Sequence, residues 1–294
     1  MNNFMQIEQL LHKAADIPDL LPRIVYFSYL FLGVPYLVGC LGEGEEGRFD
    51  QSPLYRFDCF DCLTYVNTVL ALAHASNVQE FQARLLQLNY YDADPDYVKR
   101  FHFMSVDWNP QNQQSGFLHD ITRDLLNNQG QPFFVTATTD IDKGAWLRKR
   151  ALADLKLLTP LKNDEAQQLL ETLHQQGNSF NKQSVSIDYL PIALFFDEQD
   201  QPIQSLFDQI PDASIIEIVR PCWDLREQIG TQLHVSHLGF AIRTDQGLMY
   251  RQASSAVGGV VDVPLVNYLH QQLSSPTIKG IHVQVLNQSL SPKK

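Results

Sequence analysis

Cys62, His237 and Gln252 are the residues whose types and surroundings suggest the most definite chemistry. Cys62 follows Asp61 and opens the run Cys62-Leu63-Thr64-Tyr65-Val66-Asn67-Thr68-Val69-Leu70-Ala71-Leu72-Ala73. Leu63, Val66, Leu70 and Ala73 recur three or four apart, the period of a buried helix. A cysteine at the start of such a helix meets unpaired backbone N–H groups and the positive end of the helix dipole, and both favour a thiolate. The same N–H groups offer a place for an oxyanion. The plain alternative is a small apolar residue packing a helix start.

His237 lies in Val235-Ser236-His237-Leu238-Gly239-Phe240-Ala241-Ile242, an alternating strand. Most strand histidines are half-buried polar residues, so the type alone does not make His237 a base. Its distance in sequence from Cys62 is no objection, because cysteine enzymes bring their histidine in through the fold. Gln252, in Tyr250-Arg251-Gln252-Ala253-Ser254, falls on the following strand, joined by the hairpin signal Asp245-Gln246-Gly247. Its amide oxygen can accept one imidazole N–H and leave the other nitrogen facing a thiol. Without a partner it is an ordinary surface glutamine.

A rival set uses the same residues. Cys59-Phe60-Asp61-Cys62 is a C-x-x-C and His234-Val235-Ser236-His237 an H-x-x-H, so four soft ligands could hold a structural zinc. Regular alternation would send His234 and His237 to opposite faces of a strand, which opposes that use. A redox C-x-x-C is disfavoured by the flanking Asp58 and Asp61 and by the crowding of Phe57 and Phe60. Residues 39–47 form a glycine-rich loop without G-x-x-x-x-G-K spacing, and Glu43, Glu45 and Glu46 would repel a phosphate. That loop either binds a cationic amine of a substrate or is simply solvated. There is no G-x-S-x-G elbow and no H-E-x-x-H.

The elements that must position these side chains change character along the chain. Residues 5–14, 20–32, 62–73, 77–88 and 163–176 have helical apolar spacing, with Gly33-Val34-Pro35 stopping the second and Asn77 capping the fourth. Residues 184–190, 214–220, 234–244, 248–253 and 281–286 read as strands. Helices first and antiparallel strands after predict an α+β fold. No repeat or linker divides the chain, so a single domain over residues 1–294 is expected, with an irregular insertion at about 107–182.

Composition narrows the function. The formal charge is −11 with 44% hydrophobic residues, an ordinary globular balance without a basic face, which excludes nucleic acid as a partner. No apolar run reaches the roughly 18 residues of a membrane span. Four cysteines in 294 residues are too few for a disulfide scaffold. No secretion signal is visible at residues 1–9, so the expected location is the cell envelope or periplasm if the start is a processed end, and otherwise the cytoplasm.

Three segments in order carry a resemblance: Leu32-Gly33-Val34-Pro35-Tyr36-Leu37-Val38-Gly39, Phe60-Asp61-Cys62-Leu63-Thr64-Tyr65-Val66, and Ser236-His237-Leu238-Gly239-Phe240-Ala241-Ile242. NlpC-type cell-wall peptidases, with a papain-like fold, carry a G-x-P-Y…G segment, a D-C motif and an H-x-G strand in that order. The chain is similar in particular to their N-acetylmuramoyl-L-alanine amidase-like bacterial branch, through Arg100-Phe101-His102-Phe103 with Asp107-Trp108, Tyr189-Leu190-Pro191, and Gln252-Ala253-Ser254. The resemblance spans residues 7–285. It implies a cysteine amidase of peptidoglycan fragments (muropeptides), without metal or other cofactor. It implies Cys62 as nucleophile, His237 as base and Gln252 as the orienting residue. Tyr36, Asp61, Trp108 and Ser236 are then expected on the oxyanion or substrate side. The chain departs from the branch at Gln252, where histidine is commoner, at Asn67, where glutamate is commoner, and in the extra Cys59. A bond within the stem peptide, a zinc-stabilised module and an inactive muropeptide-binding relative remain as alternatives.

Overall fold

The structure is a computed structural model that describes residues 3–288. Its helices are α1 (Asn3–Lys13), α2 (Leu20–Leu30), α3 (Cys62–Ala73), α4 (Val78–Asn89), α5 (Asn109–Gln114), α6 (Lys143–Arg148), α7 (Asn163–Gly177), α8 (Gln204–Asp208), α9 (Arg226–Ile229) and α10 (Leu265–Gln272). Its strands are β1 (Leu118–Asp120), β2 (Val135–Ile141), β3 (Gln183–Pro191), β4 (Ser214–Leu225), β5 (Thr231–Thr244), β6 (Gly247–Ser254), β7 (Gly259–Pro264) and β8 (Gly280–Leu286). The strands form one antiparallel sheet in the order β2-β3-β8-β4-β5-β6-β7, with β1 also on β8. The fold is therefore α+β, as the order of helical and strand patterns predicts.

Alternation along the central strands divides the side chains between two cores. Ile215, Leu238 and Phe240 face Phe27, Tyr65, Val66 and Val69 of α2 and α3. Ile216, Ile218 and Tyr250 face the other way, against Leu265 and Leu269 of α10 and the aromatic pair Phe195 and Phe207. Full burial of each such side chain stabilises by about 1.5–3 kcal/mol.

Helix α3 is fastened at its C-terminal end and in its middle. At its end the guanidinium of Arg23, itself buried, donates to the carbonyls of Ala73 (2.8 Å), Leu72 (3.1 Å) and Ala75 (2.6 Å), and to Ala14 at 3.0 Å. In its middle Tyr65 donates to Ser28 O of α2 at 3.0 Å. The direction of α3, and so the position of its first residue, is set by these bonds.

The region at 107–182 holds more regular structure than its sequence suggests. It contains α5, α6, α7, β1 and β2 as well as irregular loops. Strand β2 pairs with β3 along its whole length, from Val135 opposite Tyr189 to Ile141 opposite Gln183. Its sequence VTATTDI buries only Ala137, Thr139 and Ile141, so the apolar signal is weak. Threonine suits a strand as a β-branched residue without marking a buried face. Helix α7 runs one residue further than expected, through Gly177, which packs against Gly144 of α6.

Candidate active site

Cys62 is the first residue of α3, and its neighbour Asp61 is the cap. Asp61 Oδ1 accepts from Thr64 N at 2.8 Å, and Thr64 Oγ1 accepts from Asp61 N at 2.9 Å. This reciprocal pair satisfies orphan donors at the helix mouth and is worth about 1 kcal/mol. Asp61 Oδ2 accepts from Gly39 N at 3.1 Å, tying the Gly39 loop to the same point. The Asp61 carboxylate holds the helix start.

Tyr36 reaches the site through a short backbone lattice. Phe60 N donates to Pro35 O at 3.0 Å and Leu37 N to Phe60 O at 2.9 Å, while Tyr36 N donates to Gly258 O at 2.9 Å. The strand-like pairing of Tyr36 with Phe60 sets the tyrosine beside the residue two before Cys62. Burial, then the proximity of Cys62 and of the Asp61 carboxylate, push the Tyr36 hydroxyl up to about 12, so it remains a donor. Among the described residues it makes no hydrogen bond.

The histidine side is built by β5 and β6. Ile218 of β4 stands opposite His237, yet the next residue, Val219, stands opposite Val235. Ser236 is thus the extra residue of a β-bulge. The bulge interrupts the alternation assumed between His234 and His237, so the sequence argument from an odd step does not hold. The two imidazoles still have separate partners: His234 Nδ1 pairs with Ser105 Oγ at 3.1 Å, and His237 Nε2 pairs with Gln252 Oε1. The amide oxygen of Gln252 can only accept, so the His237 proton sits on Nε2 and Nδ1 keeps a lone pair.

Gly239 makes that pairing possible. A Cβ there would meet Arg251 O at 2.6 Å, Tyr250 Cε2 at 2.9 Å and Gln252 Cβ at 3.0 Å. The Tyr250 ring crosses this gap and meets the His237 ring edge-on, with centroids 5.9 Å apart. Tyr268 of α10 lies on Tyr250 at 4.8 Å.

Cys62 meets the His237 strand at the residue after the histidine: the Leu238 N–H acts on the Cys62 sulfur. Burial, followed by the Asp61 carboxylate, pushes the thiol up to about 12, against the N–H groups of Leu238, Leu63 and Cys62 itself. Burial takes His237 down to about 4, against its bond to Gln252. The resting site thus holds a neutral thiol and a neutral imidazole. The thiolate expected from the helix start alone is corrected here: enclosure and Asp61 outweigh the helix N–H groups.

Other expected residues fall elsewhere. Trp108 is fully buried, and its Nε1–H donates to Asn67 Oδ1 at 2.9 Å, so it is a core residue rather than part of a substrate surface. Asn67 in turn donates to Asn89 Oδ1 at 2.7 Å. Ser236 is half-buried in the bulge with a long 3.5 Å contact to Ile218 O. Glu43 of the glycine-rich loop is buried against Arg100, which also pairs with Asp50 at 3.3 Å. That loop is an anchored structure and offers Glu43 to no amine. Cys59 turns to Cys40 rather than to Cys62. Among the described residues no three His, Cys, Asp or Glu side chains gather as a ligand set, so the zinc set does not assemble. No helix among them is long and apolar enough to cross a membrane.

Tyr250, Tyr268, Gly239 and the Leu238 amide escape the sequence as site components. Gly239 carried a signal, since a glycine inside a strand marks close approach of other chain. Tyr250 could be found as the residue two before Gln252 on the same face. Tyr268 had none, because its helix was not foreseen.

The fold is met in known proteins. A solved structure from Legionella pneumophila is 42% identical, with a TM-score of 0.93 over 97% of this chain and 94% of that one. A solved N-acetylmuramoyl-L-alanine amidase from Bacteroides uniformis is 22% identical, with a TM-score of 0.62 over 91% of this chain and 99% of that one, a likeness of fold. Among curated proteins there is no significant match. The profile of the AmiA-like family, described as N-acetylmuramoyl-L-alanine amidase-like, matches residues 26–278. The chain belongs to the N-acetylmuramoyl-L-alanine amidase-like family.

Proposed function

We propose that this protein is a cysteine amidase of peptidoglycan fragments, in a papain-like, NlpC-type arrangement within a single domain. Its bond is the amide between the lactyl group of muramic acid and L-alanine of the stem peptide. The observation that carries the proposal is the pairing of His237 Nε2 with Gln252 beside the Cys62 thiol. It leaves one basic nitrogen, Nδ1, available for the thiol proton.

The starting pair is neutral, so proton transfer accompanies attack. His237 Nδ1 takes the Cys62 proton as Sγ adds to the amide carbonyl. The oxyanion is met by the Cys62 backbone N–H at the helix start and by the Tyr36 hydroxyl. The protonated imidazole gives its proton to the L-alanine nitrogen, and the peptide leaves as a free amine. Water, deprotonated by His237, then cleaves the thioester, yielding the lactyl carboxylic acid and the free thiol. Gln252 orients the imidazole but adds no charge to stabilise it when protonated, which limits the rate compared with an acidic partner. Membership of the amidase-like family supports the substrate class.

The test is digestion of purified disaccharide-peptides, read by mass spectrometry. The proposal expects free stem peptide with an L-alanine amino terminus and sugar with a free lactyl carboxyl group. Cleavage inside the stem peptide would make the protein an endopeptidase, and binding without cleavage would make it a muropeptide-binding module.

A further inference from the structure

Among the described residues Arg220, near the site, has no carboxylate partner. It lies two residues along β4 from Ile218, the cross-strand partner of His237, at the point where the pairing of β4 with β5 becomes irregular between Val219 and Trp223. Its Nη1 donates to Thr277 Oγ1 at 2.8 Å, and its guanidinium lies over the Trp223 ring at 4.6 Å. Its buried Nε finds no acceptor among the described residues. Tyr268 stands close enough to Arg220 and to Cys62 to feel the charge of both, so the wall from His237 through Tyr250 and Tyr268 ends at this cation.

An arginine that is half-buried without an anion is costly to keep. Its neighbours fix the guanidinium plane by stacking and by one hydrogen bond, and leave Nε–H without an acceptor among the described residues. A guanidinium so fixed is suited to a carboxylate. The net charge of −11 makes an unpaired cation at this place still less a feature of a general surface.

We propose that Arg220, held by Trp223 and Thr277, forms a subsite for a carboxylate of the substrate's leaving peptide. This rests on the amidase reading above. In the bond proposed there the acyl side is a sugar lactyl group without charge, so the anionic groups belong to the peptide that leaves. The carboxylate nearest the scissile amide is the one on the second stem residue, and it is the group assigned to Arg220. Arg220 then selects stem peptides whose second residue carries a free acid over those in which it is amidated.

The test measures binding to Cys62→Ala protein, which is independent of turnover, alongside cleavage by wild type. The ligands are a disaccharide-tripeptide with the second-residue carboxyl free and the same compound with it amidated. The expected result is that the free acid binds at least tenfold more tightly, that Arg220→Gln abolishes this preference by weakening the free acid alone, and that Arg220→Lys restores part of it. Equal binding of the two ligands, or an equal loss for both on Arg220→Gln with an unchanged melting temperature, overturns the proposal. A preference that depends on Arg220 in a protein that cleaves neither ligand would sustain the subsite and remove the amidase reading.

Discussion

Replacing Gly239 by alanine tests the link between strand packing and the site. The added methyl would lie 2.6 Å from Arg251 O, about 0.8 Å short of the 3.4 Å at which ordinary contact begins. A carbonyl in a sheet ladder yields little, so β5 and β6 must separate or the Tyr250 ring and Gln252 must shift. Tyr250 Cε2 and the Gln252 Cβ are already at 2.9 and 3.0 Å from that point. Either movement loosens the Gln252 hold on His237. Overpacking of this kind costs about 1–3 kcal/mol, and in a protein of this size each kcal/mol lowers the melting temperature by roughly 2–4 °C. A displacement approaching 1 Å at the imidazole lowers kcat by up to about a hundredfold. Melting would be followed by circular dichroism and turnover by release of stem peptide from a muropeptide. A Gly239→Ala protein with wild-type kcat and melting temperature would refute the crowding argument and, with it, the role given to the Tyr250–Gln252 contact.

Four further predictions follow from the same contacts. Gln252→Ala frees the imidazole tautomer and lowers kcat roughly a hundredfold or more, whereas Gln252→Glu keeps an acceptor and retains more activity; steady-state kinetics of the two separates orientation from packing. Tyr36→Phe removes one oxyanion donor, worth roughly 3 kcal/mol, so kcat falls about a hundredfold with KM little changed. His237 accepts a proton only when neutral, and burial holds it down to about 4, so kcat/KM measured from pH 3.5 to 8 loses activity near pH 4 and not near the ordinary 6.5. Arg100→Met strands the buried Glu43 and Asp50 and costs about 3–5 kcal/mol in urea unfolding, part of which Glu43→Leu in the same chain restores.

Much of the site was legible because it rests on local rules. An aspartate before an apolar helical run announces both the cap and the residue placed at the mouth of α3. The hairpin signal at Asp245-Gln246-Gly247 gave two adjacent strands, and with them the meeting of His237 and Gln252. What the sequence hid depends on distant contacts. The bulge at Ser236 is a property of the pairing of β4 and β5, and no residue in 234–237 signals it. Trp108 is expected on the substrate side only through the family resemblance, yet Asn67 takes its N–H within the core. The neutral state of Cys62 follows from burial and from the Asp61 carboxylate, and the tyrosines near it, Tyr36, Tyr250 and Tyr268, arrive from distant parts of the chain. Dipole arguments for a thiolate assume an open helix mouth, and enclosure reverses them.

The central claim is that Cys62 is the nucleophile. The direct measurement is stem-peptide release by wild type, Cys62→Ala and Cys62→Ser at equal concentration in the presence of a metal chelator, each checked for folding by its melting temperature. The account predicts full release by wild type and a loss of at least about 10⁴-fold in both variants, which remain folded. Release by folded Cys62→Ala at a rate near that of wild type would contradict it.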